Sequence, residues 1–432
     1  MTTQFDAARQ GAVTPAMTRT ARDEKVPPET VRDEIAAGRA VIPSNPAHNP
    51  SMPAVVGRTF RTKVNANIGR SAERSSPTEE SDKLKVALDA SADFVMDLSV
   101  GPDLGPLRRD LIKFCPVPLG TVPVYEALAR VGGDVERLDA AILLEVIGEQ
   151  AVDGVDFMTL HAGLLAAHVP LAARRLMGIV SRGGALLAEW MTSKGRENPL
   201  HERWDDILSI CAKHDVTVSL GDGLRPGCLA DASDTAQFAE PDVLGQLVQR
   251  CRQAGVQVMV EGPGHVPFHQ IAMNVERQIR VCDGAPFYVL GPVVTDVAPG
   301  YDHIVAAIGA TAAAAPCAAL LCYVTPAEHL ALPESDEVYE GIMVFRIAAH
   351  AGDVARGVPG ARDWDDAMSK ARRAFDWEGQ FRLALDGCRA RARYERGRVK
   401  GAETDHCSMC GKDFCAMRTT RRIREQGGAR QG

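Results

Sequence analysis

The sequence lacks a basic N-terminal stretch leading into an apolar run. It begins Met-Thr-Thr-Gln-Phe-Asp, so no secretory leader is expected and the chain is expected in the cytoplasm. It also lacks a convincing membrane span. The charge-free segment from Ile304 to Val324 is long enough to cross a bilayer, yet it is alanine-rich and interrupted by Pro316. That pattern predicts a buried helix stopped by Pro316, then a buried strand through Leu320 to Val324. Aromatic residues are scarce where a nucleic-acid binder needs them. Residues 389 to 432 carry twelve Lys and Arg against five Asp and Glu, but only Tyr394 and Phe414 to stack on a base. This basic tail is expected to be a solvated arm, or to dock on an acidic body, and no nucleic-acid or membrane partner is expected.

What is present is ordinary for a globular protein: 432 residues, 45% hydrophobic, 24% charged, net charge −7. Such a chain can bury a large core in one big domain with appendages, or in two to three ordinary ones. Eleven cysteines without a leader point to a reducing compartment and exclude a disulfide framework. Eight of them, from Cys115 to Cys388, are scattered and expected to be mostly small core residues.

Residues 1 to 60 read as an N-terminal extension of weak order, given Val26-Pro-Pro-Glu and the Pro/Asn-rich run from Ile42, with a helix from about 28 to 38. From Val64 the pattern changes. Short β-rich runs start at Val64, Phe94, Leu119, Val155, Gly178, Val216, Val256, Phe287 and Ala319, with amphipathic stretches between most of them. Alternation at this spacing implies βαβ units and a parallel sheet, and largely apolar runs suit strands buried on both faces. Eight units close into a (β/α)8 TIM-type barrel, expected over 61–355. Nine candidates leave one surplus, either 119–122 or 178–180. A helical C-terminal region is expected over 356–432.

Polar side chains collect where these runs end. In order they are Asn67, Met96-Asp97, Tyr125, His161, Ser181-Arg182-Gly183-Gly184, Asp222-Gly223-Leu224-Arg225, Glu261 with His265, Tyr288 and His329. In a parallel barrel the C-terminal mouth is where ligands bind, because the βα loops converge there. Ser181 to Gly184 reads either as a phosphate cradle, with glycine for backbone approach and arginine for paired oxygens, or as a tight turn. Asp222 and Arg225 suit a ribose or phosphate, or brace the loop as an internal ion pair. His265 and His329 can share a borderline metal if the fold brings them together. Tyr125 and Tyr288 read as cavity walls and Met96 as an apolar floor.

Near the C-terminus stands Cys407-Ser-Met-Cys410-Gly-Lys-Asp-Phe-Cys415, three thiols within nine residues, just after His406. Either a zinc knuckle completed by His406 or an iron–sulfur cluster with one open iron fits this loop.

Taken together, these stretches resemble the phosphomethylpyrimidine synthase family, radical S-adenosyl-L-methionine enzymes of thiamin synthesis. The carriers are Val64-Asn-Ala-Asn-Ile-Gly69, Val95-Met-Asp-Leu-Ser99, Pro118 to Tyr125, Gly178 to Gly184, Ser219 to Gly227, Val260 to His265, Thr295 to His303 and the cysteine loop. The resemblance runs from about residue 5 to Arg424. It implies a (β/α)8 barrel with a mobile tail whose Cys407, Cys410 and Cys415 hold a 4Fe-4S cluster, with adenosylmethionine on the open iron. It further implies a homodimer, often with the tail at the partner's active site, and an electron donor of the flavodoxin or ferredoxin class. The implied substrate is 5-aminoimidazole ribotide, contacted by Asn67, Met96, Tyr125, His161, Ser181, Arg182, Gly183, Asp222, Gly223, Leu224, Arg225, Glu261 and Tyr288. His265 and His329 would hold zinc or another divalent metal, and Glu261 joins the cysteines as catalytic. The chain is expected to be a short form, without the large N-terminal domain of many members. Cys228-Leu-Ala-Asp and Asp376 to Phe381 also resemble 5-hydroxybenzimidazole synthase, which uses the same ribotide. From another class, a zinc barrel hydrolase would use Glu261 as general base.

Overall fold

Eight short, buried strands close into one barrel: β1 (Lys63–Ile68), β2 (Phe94–Asp97), β3 (Leu119–Thr121), β4 (Phe157–Leu160), β5 (Thr217–Leu220), β6 (Val258–Gly262), β7 (Phe287–Leu290) and β8 (Leu320–Cys322). Every neighbouring pair is parallel, and β8 pairs with both β7 and β1. This is the (β/α)8 barrel that the alternation predicts. The computed structural model describes residues 2–71, 73–398 and 405–428. It falls into two compact units, Met1–Arg356 and Gly357–Gly432.

The surplus candidate is 178–180. Gly178 is left-handed at φ +67, and Ser181 then caps the helix Arg182–Lys194, so the run is a lead-in to a helix and pairs with no strand among the described residues. Leu119–Thr121, the other doubtful run, is a genuine strand between β2 and β4.

Helices cover the barrel outside. Ala140–Asp153 starts where Asp139 accepts from the Ile142 N–H at 2.8 Å and stops at Gly154, left-handed at φ +108. The charge-free segment forms the helix Asp302–Ala314, ends at Pro316, and enters β8. Its small residues serve close packing on the helix Ser335–Arg356, since a Cβ on Gly352 would lie 2.4 Å from Ala314 Cβ. No helix among the described residues is long and apolar enough to cross a membrane.

Residues 1–60 depart from the weak order expected of them. Three helices form, Gln4–Arg9, Pro15–Glu24 and Pro28–Ala36, and bury Phe5, Met17, Val31, Ile35 and Phe60 in a second core. Of the prolines that suggested weak order only Pro28 sits at a first helical position, where a missing N–H costs nothing, with Pro27 before it as N-cap, and Thr3 and Thr14 cap the first two helices. This segment is tied to the barrel base, the end opposite the mouth. Thr3 Oγ1 donates to Gly255 O at 2.7 Å, the Gln4 N–H donates to Asp215 Oδ2 at 2.9 Å, and Lys63 Nζ pairs with Glu24 at 2.9 Å.

The firmest tie is His48. Its Nδ1 lies 2.6 Å from Asp156 Oδ2 and its Nε2 2.7 Å from Cys115 O, while Asp156 also accepts the Asn45 and Leu119 N–H groups. Burial opposes charge on His48, but the Asp156 carboxylate outweighs it and raises the imidazole above its ordinary value. His48→Ala leaves that carboxylate buried and unpaired, with an expected cost of about 3–5 kcal/mol by chemical denaturation. Because the folded-state value is raised, the pair's contribution is full below about pH 6.5 and is lost as pH climbs through the folded value. A wild-type melting temperature that does not fall over that range would sink this assignment.

The second unit carries the helices Ala361–Ala374, Trp377–Leu383, Gly387–Gly397, Gly411–Phe414 and Ala416–Gly428. Trp377 stacks on Tyr394 at 4.3 Å between ring centroids, with Phe381 against the same ring at 5.6 Å. Together these contacts give the unit a small aromatic core of its own.

Candidate active site

Where the strands end, their polar residues enclose a cavity of about 480 Å³. Asn67, Met96, Tyr125, His161, Arg182, Asp222, Arg225, Glu261, His265, Tyr288 and His329 line it, brought together from all around the barrel. Ser181, Gly183, Gly223 and Leu224, expected at the site, are not among the lining residues and stand behind it as support.

That support is a stack of close contacts. A Cβ on Gly183 would lie 2.4 Å from His161 Cε1, and one on Gly184 would lie 2.5 Å from Gly223 O. Ser181 Oγ accepts from the Gly184 N–H at 3.2 Å and starts the helix Arg182–Lys194, whose N-terminal end suits an anion. Arg182 stands over the Tyr125 ring at 5.1 Å. Behind the loop 222–225, Glu240 accepts the Gly223 and Leu224 N–H groups at 2.9 and 2.8 Å. Burial pushes that carboxyl up to about 7. No sequence motif singles out Glu240, which sits mid-helix in Thr235–Gln253.

The cavity floor is a polar net. Thr159 Oγ1 and Ser219 Oγ donate to the same Glu261 oxygen, at 2.6 and 2.8 Å. Burial raises the Glu261 carboxyl, and these two donors pull it part of the way back. Asn65 Nδ2 donates to Asn67 Oδ1 at 2.8 Å, and Asn67 Nδ2 reaches Cys322 Sγ at 3.0 Å. Cys322 also meets Tyr288, and burial pushes its thiol up to about 11. Sequence reading passed over this cysteine as one of eight scattered ones.

Several groups here await a partner. Burial, with Arg225 adding to it, lowers His161 to about 3, so its ring is neutral, and its Nδ1 has no hydrogen-bond partner among the described residues. Asp222 Oδ1 accepts from Arg225 at 3.1 Å while Oδ2 is orphaned, and burial outweighs Arg225 to hold this carboxyl well above the usual carboxylate range. Unpaired buried polar atoms are costly, and these two have almost no accessible surface, His161 Nδ1 lying against Gly183.

His265 and His329 do meet, with ring centroids 5.3 Å apart. His265 Nδ1 faces Asp296 Oδ1 at 2.8 Å and His329 Nδ1 faces Asp302 Oδ1 at 3.1 Å. Burial lowers His265 below the ordinary imidazole value despite Asp296. Among the described residues no group of three or more His, Cys, Asp or Glu is arranged to hold a metal. Two imidazoles whose Nε2 atoms have no hydrogen-bond partner shown among the described residues nevertheless fit a borderline divalent ion that takes its other ligands from solvent or substrate. Glu328, also at the cavity, was not foreseen, and burial raises its carboxyl.

In the second unit, Cys407, Cys410 and Cys415 flank the short helix Gly411–Phe414. The Gly411 N–H donates to Cys407 O at 3.1 Å, with Gly411 left-handed at φ +65, a turn that carries the chain from the second thiol toward the third. Cys410 is exposed and Cys415 buried. Thiolate is the ligand type that a soft iron centre takes, but among the described residues these three thiols are not arranged as a metal-holding group. His406 Nδ1 faces Asp405 at 3.0 Å.

A model described as the Radical SAM ThiC family matches residues 3–422. The phosphomethylpyrimidine synthase of Natronomonas pharaonis is 58% identical over 434 residues, covering 100% of this chain and 91% of that protein. That of Halobacterium salinarum is 56% identical, covering 99% and 90%, and that of Haloarcula marismortui 56%, covering 98% and 89%. Among solved structures, a dihydropteroate synthase from Coxiella burnetii covers 68% of this chain and 94% of its own at 13% identity and a TM-score of 0.40, too slight a likeness to carry weight.

Proposed function

Because the chain belongs to the radical SAM ThiC family, we propose that it converts 5-aminoimidazole ribotide to 4-amino-5-hydroxymethyl-2-methylpyrimidine phosphate, the pyrimidine of thiamin. Methionine, 5′-deoxyadenosine, formate and carbon monoxide are the accompanying products. The observation that carries this reading is one cavity at the strand ends that brings together Arg182 at a helix start, the polar His161, Asp222 and Arg225, and a carboxylate held on two donors.

Each residue then has a task. Arg182, which opens the helix Arg182–Lys194 and lines the cavity, would hold the phosphate. Asp222, fixed by Arg225, and neutral His161 would take the ribose hydroxyls. Glu261 would hydrogen-bond the aminoimidazole through its free oxygen and accept a proton there, with Tyr288, Tyr125, Asn67 and Met96 as walls and floor. When bound at Cys407, Cys410 and Cys415, a 4Fe-4S cluster supplies the electron that splits adenosylmethionine into methionine and a 5′-deoxyadenosyl radical. The cavity's part is to orient the ribose hydrogen that this radical takes and to exclude water and solvent thiols. A homodimer, a flavodoxin or ferredoxin donor, and zinc at His265 and His329 belong to the same proposal. The hydrolase alternative gives way to the family match.

The deciding experiment is anaerobic incubation of cluster-reconstituted protein with the ribotide, adenosylmethionine and a strong reductant, with products identified by mass. The pyrimidine phosphate together with 5′-deoxyadenosine is expected. 5-Hydroxybenzimidazole would move the chain to cobalamin lower-ligand synthesis, and neither product from a loaded sample would overturn both readings. A narrower test is Gly184→Ala. The added Cβ meets the Gly223 carbonyl, so the loop must shift at a cost of about 1–3 kcal/mol, read as a roughly five- to hundredfold rise in KM for the ribotide. An unchanged KM would detach this packing from substrate binding.

A further inference from the structure

We propose that Asp296 and Asp302 are the positioning residues of the histidine pair: each carboxylate fixes one imidazole as the tautomer with hydrogen on Nδ1, leaving two Nε2 lone pairs to bind one divalent cation. The inference rests on the reading of His265 and His329 as metal ligands, and goes beyond it by giving a task to two aspartates of the stretch Thr295 to His303.

Topology supplies the first argument. His265 follows β6 and His329 follows β8, while Asp296 and Asp302 both lie between β7 and the first turn of the helix Asp302–Ala314. Since β7 pairs with β6 on one side and β8 on the other, its loop is the one that can reach both neighbouring histidines. Hydrogen bonding supplies the second. An imidazole nitrogen 2.8 or 3.1 Å from a carboxylate oxygen, an acceptor, carries the proton of that contact, so the other nitrogen keeps its lone pair for a metal. The third is rigidity. Asp296 Oδ2 accepts the Leu229 N–H at 2.8 Å, and Asp302 Oδ2 accepts the Gly300 N–H at 3.1 Å. Both carboxylates are therefore pinned at their second oxygen and cannot swing away from the rings. The same arrangement on both histidines, from one loop, is more than a hydrogen bond needed to satisfy either ring alone.

An asparagine in place of either aspartate can present its amide NH2 to Nδ1, or its oxygen at the loss of the backbone anchor, so the tautomer is no longer enforced. Asp296→Asn and Asp302→Asn are expected to weaken zinc binding by about 10- to 100-fold each, measured on metal-stripped protein against a chromophoric chelator, with melting of the metal-free protein unchanged. His265→Ala with His329→Ala is the control. If the wild type binds no zinc that this double variant loses, the metal reading fails and takes the inference with it. If the histidine variant loses zinc while both asparagine variants bind as the wild type does, the positioning role alone is overturned. Should an asparagine variant fail to fold, nitrogen chemical shifts of labelled histidine in the metal-free wild type decide. Hydrogen on Nδ1 of both rings is expected, and hydrogen on Nε2 would overturn the proposal.

Discussion

Cys410→Ala is expected to strip iron from the reconstituted protein and abolish 5′-deoxyadenosine formation, while the barrel melts at the wild-type temperature. Cys410 is exposed at the start of the four-residue helix Gly411–Phe414 and contributes to no core, so its side chain has nothing structural to lose. The barrel and the cysteine loop lie in separate compact units. A cluster held by three thiolates has no spare protein ligand, and two do not retain a cubane. Iron and sulfide content, visible absorbance and far-ultraviolet dichroism measure the two halves of the expectation independently. Full iron content in the variant would remove Cys410 from the ligand set. Loss of the barrel transition would show instead that the thiol is structural.

Glu261→Gln is expected to lower kcat by about 10²- to 10⁴-fold, the range for removing a proton-transferring group, with a much smaller change in KM and no change in melting. The amide oxygen of glutamine can still accept from Thr159 and Ser219, which donate to one Glu261 oxygen only. What disappears is the second oxygen as a proton acceptor facing the cavity. Burial raises the Glu261 carboxyl above the ordinary carboxylate value, so the ionised form accumulates only as pH passes that raised value. The acid limb of the wild-type rate profile is therefore expected above the usual carboxylate range and to vanish in the variant. Wild-type kcat in the glutamine protein would reduce Glu261 to a hydrogen-bonding wall.

Much is legible in the chain because two signals are local. Cysteines at 407, 410 and 415 stand close by spacing alone, and polar residues closing apolar runs mark a barrel mouth wherever the runs are strands. Signals that depend on a partner elsewhere are not legible. Cys322 reads as one more core cysteine until β8 pairs with β1 and sets it beside Asn67. Glu240 reads as one more helical glutamate until the loop 222–225 arrives with two free N–H groups. Of the three N-terminal helices only Pro28–Ala36 is legible, as the helix expected from about 28 to 38; the order of the whole segment is not, because proline signals disorder equally well when it opens a helix, and because much of what holds the segment is the barrel base.

By itself the sequence determined the (β/α)8 class, the cysteine loop and the family, since periodicity, spacing and motif identity are properties of consecutive residues. Only the tertiary structure decided which of two weak runs is a strand, that Ser181, Gly183, Gly223 and Leu224 are not among the residues lining the cavity, and that Asp296 and Asp302 face the two histidines. Those relations are made by ring closure of eight strands, which sets side by side residues whose separation along the chain carries no trace of the contact.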